Sequence, residues 1–134
     1  MKAVFDTNVL IAAFISEGVC SKIFTRARRR QFELITCPFI LQEFERVIRK
    51  KFSATHGEVQ EALVVISEAT KTVVHPSQKV TGVCRDADDN NILSCVLEAK
   101  ADYLVTGDPD LLELKSFSGT QIIPPRDFEL IFSD

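Results

Sequence analysis

The stretch Lys2-Ala3-Val4-Phe5-Asp6-Thr7-Asn8 decides how the rest of the chain is read: three apolar residues stop at a carboxylate, and two hydrogen-bonding residues follow. A buried strand that delivers an acid to its end has this form. Three apolar residues are too few for periodicity to separate strand from helix, but the next apolar run, Val9 to Ile15, needs a surface to pack on. A central strand covered by helices satisfies both. Asn8 or Thr7 then caps the first helix, since either side chain can accept a bond from the free amides of the first turn.

The same device returns further along. Tyr103-Leu104-Val105-Thr106 reads as a strand, Gly107 turns the chain, and Asp108 and Pro109 lead into a short helix from Asp110 to Leu114. Between the two lie a helix from Ser21 to about Arg30, a strand at Phe32–Thr36, a helix from Pro38 to about Phe52, a helix from His56 to about Glu68, and a short strand at Lys71–Val74. In the Pro38 helix, Ile40, Leu41, Phe44, Val47, Ile48 and Phe52 share one face, with Glu43 and Glu45 on opposite flanks. Periodicity does not choose between the two glutamates.

A polar connection, Pro76 to Val83, leads into Arg85-Asp86-Ala87-Asp88-Asp89-Asn90-Asn91, the densest acidic stretch. The helix that follows carries Ile92, Leu93, Val96 and Leu97, and Asp89 sits one turn before the first two, on the inward face. Asp86 and Asp88 read as caps or first-turn charges, and Asp110 as another. Thr120–Ile123 is a last strand, and Pro124-Pro125 precedes a closing helix through Phe132. Strands alternating with helices predict a parallel sheet covered on both faces, with sites at the carboxyl ends of strands near the switch point. Asp6 and Asp108 both occupy such ends.

With 134 residues the chain reads as one domain, 1–134, long enough to bury a core without staples. Cys20, Cys37, Cys84 and Cys95 are scattered without a C-x-x-C pair, which reads as free thiols in a reducing cytosol rather than zinc ligands. No run approaches a membrane span, and Asp6 and Asn8 interrupt anything resembling a signal peptide. The net charge of −3 does not point to nucleic acid by itself. The basic clusters Arg26–Arg30 and Arg46–Lys51 nonetheless offer a basic rim beside an acidic pocket.

An inward acid is costly to bury without a partner. If the sheet brings Asp6, Asp89 and Asp108 towards one edge, three carboxylates in contact must stay protonated, spread apart or share a cation. A divalent cation resolves the conflict, and all-oxygen ligands favour Mg²⁺ or Mn²⁺ over zinc. Such sites commonly act on phosphate esters.

Four segments taken together, Asp6-Thr7-Asn8, Glu43, Asp86-Ala87-Asp88-Asp89-Asn90 and Val105-Thr106-Gly107-Asp108, resemble PIN domains, particularly those forming toxin components of toxin-antitoxin pairs. The likeness extends to the tail Ile123-Pro124-Pro125-Arg126-Asp127-Phe128. The resemblance implies a three-layer α/β/α sandwich with a central parallel sheet, and Mg²⁺- or Mn²⁺-dependent cleavage of single-stranded RNA to 5′-phosphate and 3′-hydroxyl ends. It also implies a homodimer and, in an operon setting, a cognate antitoxin, in keeping with the cytoplasmic location the free thiols suggest. Carried over by position, Asp6, Glu43, Asp89 and Asp108 hold the metal and carry catalysis, while Asn8 and Thr106 tune them by hydrogen bonding. Ala87 departs from the Asp-Pro-Asp-Asp-Asn form often found in the subgroup, which alters the loop's stiffness but removes no ligand. Which of Asp86, Asp88 and Asp89 touches metal stays open.

Two other readings compete. A phosphohydrolase with Asp6 as nucleophile needs an acid two residues later, where this chain has Asn8. A catalytically silent module of the same fold, acting through RNA or a protein partner, keeps the acids without turnover.

Overall fold

The structure is a computed structural model and describes residues 1–132. Strand β1 (Lys2–Phe5) runs directly into helix α1 (Thr7–Ile15), followed by α2 (Val19–Arg28), β2 (Glu33–Thr36), α3 (Pro38–Phe52), α4 (His56–Ala69) and β3 (Thr70–Val73). The second half contains α5 (Ala87–Ala99), β4 (Tyr103–Val105), α6 (Pro109–Leu112), β5 (Ser116–Phe117), β6 (Thr120–Ile123) and α7 (Pro125–Glu129). The sheet order is β3-β2-β1-β4-β6-β5. Every pairing is parallel except β5 with β6. This is the expected α/β architecture with a central, mostly parallel sheet.

β1 is central, and Ala3, Val4 and Phe5 are all at most 1% exposed. A parallel strand covered on both faces requires such an unbroken apolar run. Phe5 meets Phe128 edge-on at 5.9 Å and Phe32 at 5.7 Å, and Phe32 and Phe128 are 5.0 Å apart. The ten-Phe composition thus supplies a ring cluster that pins α7 to the sheet. From β1 the chain builds outward through β2 to β3, then crosses back to β4 on the other side. The crevice between the carboxyl ends of β1 and β4 is therefore the switch point, where parallel α/β sheets place ligands.

Several boundaries differ from expectation for local reasons. α1 begins at Thr7, so Asp6, rather than Thr7 or Asn8, occupies its N-cap position. α2 begins at Val19 after Gly18, ahead of the expected Ser21 cap, and ends at Arg28. Arg30, with φ 60°, turns the chain towards β2, and its guanidinium reaches the carbonyls of Glu68 and Ala69. α4 closes its N-terminus with a capping box between Thr55 and Glu58. α6 starts at Pro109 under an Asp108 cap, not at Asp110, and α7 stops at Glu129, short of Phe132. A sixth strand, β5, pairs with β6 across Ser118 (φ 49°) and Gly119 (φ 86°). Two consecutive positive φ values favour a tight hairpin turn of the primed kind, and Ser-Gly is a signal for it. All four cysteines are free thiols, Cys37 and Cys95 buried, Cys20 and Cys84 half-buried.

Candidate metal centre

Asp6 is held from both sides of its backbone. Its N–H donates to the Val105 carbonyl at 3.0 Å, and its carbonyl accepts from Val9 and Leu10. Its side chain does not cap α1; Oδ2 accepts a 2.7 Å bond from the Thr106 hydroxyl. Thr106 is fully buried, and its Oγ1 also accepts the Asp108 N–H at 3.0 Å. One hydroxyl beyond β4 thereby ties the acid of β1 to the acid of β4. Burial pushes the Asp6 carboxyl above the ordinary range; bonds from Thr106 and the Thr7 amide oppose the shift, and Asp108 adds to it.

Asp108 caps α6 through Oδ1, which accepts the Asp110 N–H at 2.8 Å. Asp89, in the first turn of α5, is only 7% exposed. Its carboxyl is pushed up to about 7, first by burial, then by the charges of Asp108, Asp86 and Asp6. The α5 entry is fixed by Asn90, whose side chain accepts from the Cys84 amide at 2.8 Å and donates to the Cys84 carbonyl at 3.2 Å. Carboxylate oxygens of Asp89, Asp108 and Asp110 lie within 4.8 Å of one another. At that spacing two unit charges repel by about 3 kcal/mol at an effective dielectric near 20.

Glu43 projects from α3 towards the same edge. The Thr7 hydroxyl donates to its Oε1, and Arg46 stands 3.9 Å from its Oε2. Burial raises its pKa, Thr7 opposes that, and Asp88 and Asp6 raise it further, with Arg46 lowering it. Glu45 instead pairs with Arg49 at 3.6 Å on the other flank of α3. The choice between the two glutamates, open in the sequence, falls on Glu43.

The compact group of carboxylate oxygens is thus Asp89, Asp108 and Asp110; Asp6 is tied to it through Thr106 and its charge acts on Asp89 and on Glu43, which lies on the same side. Thr106 bonds as expected. Asn8 is exposed, and the tuning bond is made by its neighbour Thr7, which is buried. Asp86 and Asp88 are both exposed; Asp86 is the N-cap of α5 and accepts the Asp88 N–H at 2.9 Å. Asp110, which reads as a cap from sequence, is the residue sequence reasoning left outside the cluster. Its signal was the Asp108-Pro109-Asp110 run, in which Asp108 caps the Asp110 amide and the two carboxylates end up together beside Asp89. Arg85 holds Asp110 by contacts of 3.1 and 3.2 Å.

The donor set is all oxygen, crowded and partly buried, with no His or Cys among the grouped ligand atoms. It fits a small, hard divalent cation.

A family model for the PIN domain matches residues 2–110. An uncharacterized protein of Methanocaldococcus jannaschii is 32% identical over 120 residues, covering 86% of this chain and 76% of that protein. Among solved structures, VapBC2 from Rickettsia felis, bound to a DNA fragment from their promoter, has a similar fold, with a TM-score of 0.67 at 15% identity over 91% of this chain and 97% of that one. The family match takes in all four acids together with Thr106 and Asp110, and the chain belongs to the PIN domain family.

Proposed function

We propose that this protein is a Mg²⁺- or Mn²⁺-dependent endoribonuclease that cleaves single-stranded RNA. The observation that carries the reading is the gathering of acids at one crevice: one buried hydroxyl joins the Asp6 carboxylate to the Asp108 amide, and the charges of Asp108 and Asp6 act on Asp89. Asp6, Asp89 and Asp108 hold the cation, Glu43 supports it from α3, and Asp110 completes the acidic wall. Asp86 and Asp88 serve the start of α5. A bound divalent cation supplies Lewis-acid stabilisation to the phosphodiester and activates water. The chain's own residues do the rest. Thr106 orients Asp6, Thr7 orients Glu43, and the parallel pairing of Phe5 with Val105 fixes the distance between the two strand ends.

The resemblance to toxin components, and the fold shared with VapBC2, support a cytoplasmic toxin with a cognate antitoxin and a homodimeric state. An apolar groove of about 390 Å³ lined by Phe14, Ile15, Phe44, Ile48 and Phe52 supports a protein partner. Phe14, Ile15 and Phe52 stay more than a third exposed, which is unusual for large apolar side chains grouped together.

The test is cleavage of a labelled single-stranded RNA with Mn²⁺ or Mg²⁺. Wild-type protein produces fragments with 5′-phosphate ends, and both EDTA and Asp6→Asn abolish them. Cleavage surviving both treatments sinks the mechanism. Failure to bind Mn²⁺ together with absence of cleavage favours the silent module.

A further inference from the structure

On the far side of α3 from the partner groove lies a second depression, of about 650 Å³, between α3, α4 and the outer strand β3. Its floor is apolar: Leu41, Leu63, Ile66 and Val73. Its rim carries three cations, Arg46, Arg49 and Lys71, against one acid, Glu45. Arg46 also stands 3.9 Å from the Glu43 carboxylate, so the depression opens beside the acidic centre. Thr36, which lines it, is 2% exposed, and its hydroxyl has no hydrogen-bond partner among the described residues. Thr36 follows Ile35, the partner of Val4 in the sheet, so it lies one strand over from Phe5, the residue before Asp6.

An apolar floor under a rim with cations in excess, next to the acidic centre, fits a nucleotide of single-stranded RNA, base inward and phosphate outward. We infer that this depression seats a nucleotide flanking the scissile phosphate. Its base lies on Leu41, Leu63 and Ile66, and its phosphate faces Arg49 and Lys71. Gln42 and Ser67 offer amide and hydroxyl groups to the base edge, the way unstacked RNA bases are read. The inference rests on the ribonuclease reading and assigns it a substrate path running over α3 towards β3.

The experiment is fluorescence anisotropy with a labelled six-nucleotide single-stranded RNA in EDTA, at several salt concentrations, run on the full chain. Arg49→Ala/Lys71→Ala removes two cations, and Ser67→Trp fills the depression from an exposed helix position. The paired variant lowers the slope of log affinity against log salt by about 0.7, the value for the one phosphate both cations face. Ser67→Trp lowers affinity at least tenfold and leaves that slope unchanged. Wild-type affinity in both variants overturns the inference, as does a wild-type protein that binds no RNA. If Ser67→Trp alters the oligomeric state in sedimentation and not RNA affinity, the depression is an interface between copies, which also overturns it. Binding with the expected variant pattern but no cleavage in Mn²⁺ upholds the seat and removes the ribonuclease reading, so the two fail separately.

Discussion

Asp89→Asn should make the protein more stable while removing its metal site. In the native state the Asp89 carboxyl titrates near 7 instead of 3.8, because it is buried and faces Asp108, Asp86 and Asp6. A native pKa raised above the unfolded value means the folded state binds the extra proton. The associated stability is complete below about pH 4 and is lost as pH rises through 7. Three units correspond to at most about 4 kcal/mol at 1.36 kcal/mol per unit. The crevice opens to water on one side, and screening there reduces this to about 1–2 kcal/mol. Asparagine keeps the shape, cannot ionise, and can donate to Asp108 as the protonated acid does. At pH 8 in EDTA the variant should therefore melt about 3–6 °C above wild type. At pH 3, where Asp89 is protonated in the folded and the unfolded chain alike, the two should melt together. Adding Mn²⁺ at pH 8 should raise the wild-type melting temperature in proportion to the logarithm of its concentration and leave the variant nearly unmoved. A variant less stable than wild type at pH 8 in EDTA, or a gain equal at both pH values, refutes the charge-crowding argument.

Further outcomes can be checked with the same protein. Thr106→Val removes the hydroxyl that orients Asp6 and accepts the Asp108 amide; RNA cleavage or Mn²⁺ affinity should fall about 10–100-fold, as for groups behind metal ligands, with the fold kept by circular dichroism. Thr36→Val replaces an unpartnered buried hydroxyl by a methyl and should raise stability by about 1 kcal/mol in urea titration, since such a group costs about 1–3 kcal/mol. Phe128→Ala opens a cavity beside Phe5 and Phe32 and should cost about 3–5 kcal/mol, read as a lower urea midpoint.

The central parts of the fold are legible in the sequence because they rest on local chemistry. Pro38 and the apolar spacing to Phe52 bound α3 as observed, and the short apolar runs before Asp6 and Asp108 mark the strands that border the switch point. What was hidden depends on how elements are turned against each other. Glu43 and Glu45 are equivalent until α3 packs on α1 and brings Glu43 to Thr7. Thr7 and Asn8 are likewise equivalent until α1 starts at Thr7 and leaves Asn8 facing outward. Asp110 reads as a helix charge because it is one, in the first turn of α6, and only the packing of α5 beside that turn brings Asp89 to it. β5 was missed because two residues give no alternation to detect, although Ser118-Gly119 marked its turn. The depression over β3 is assembled from three elements and has no sequence signature at all.

The claim on which the rest depends is that these acids share one divalent cation. A crystal structure of the wild-type protein grown with Mn²⁺, with anomalous data, tests it directly. The account predicts a manganese peak in the β1–β4 crevice, with carboxylate oxygens of Asp6 and of Asp89 or Asp108 about 2.1 Å away, the distance a small hard cation requires. A crevice without the peak at saturating Mn²⁺, or a peak held by other residues, contradicts it.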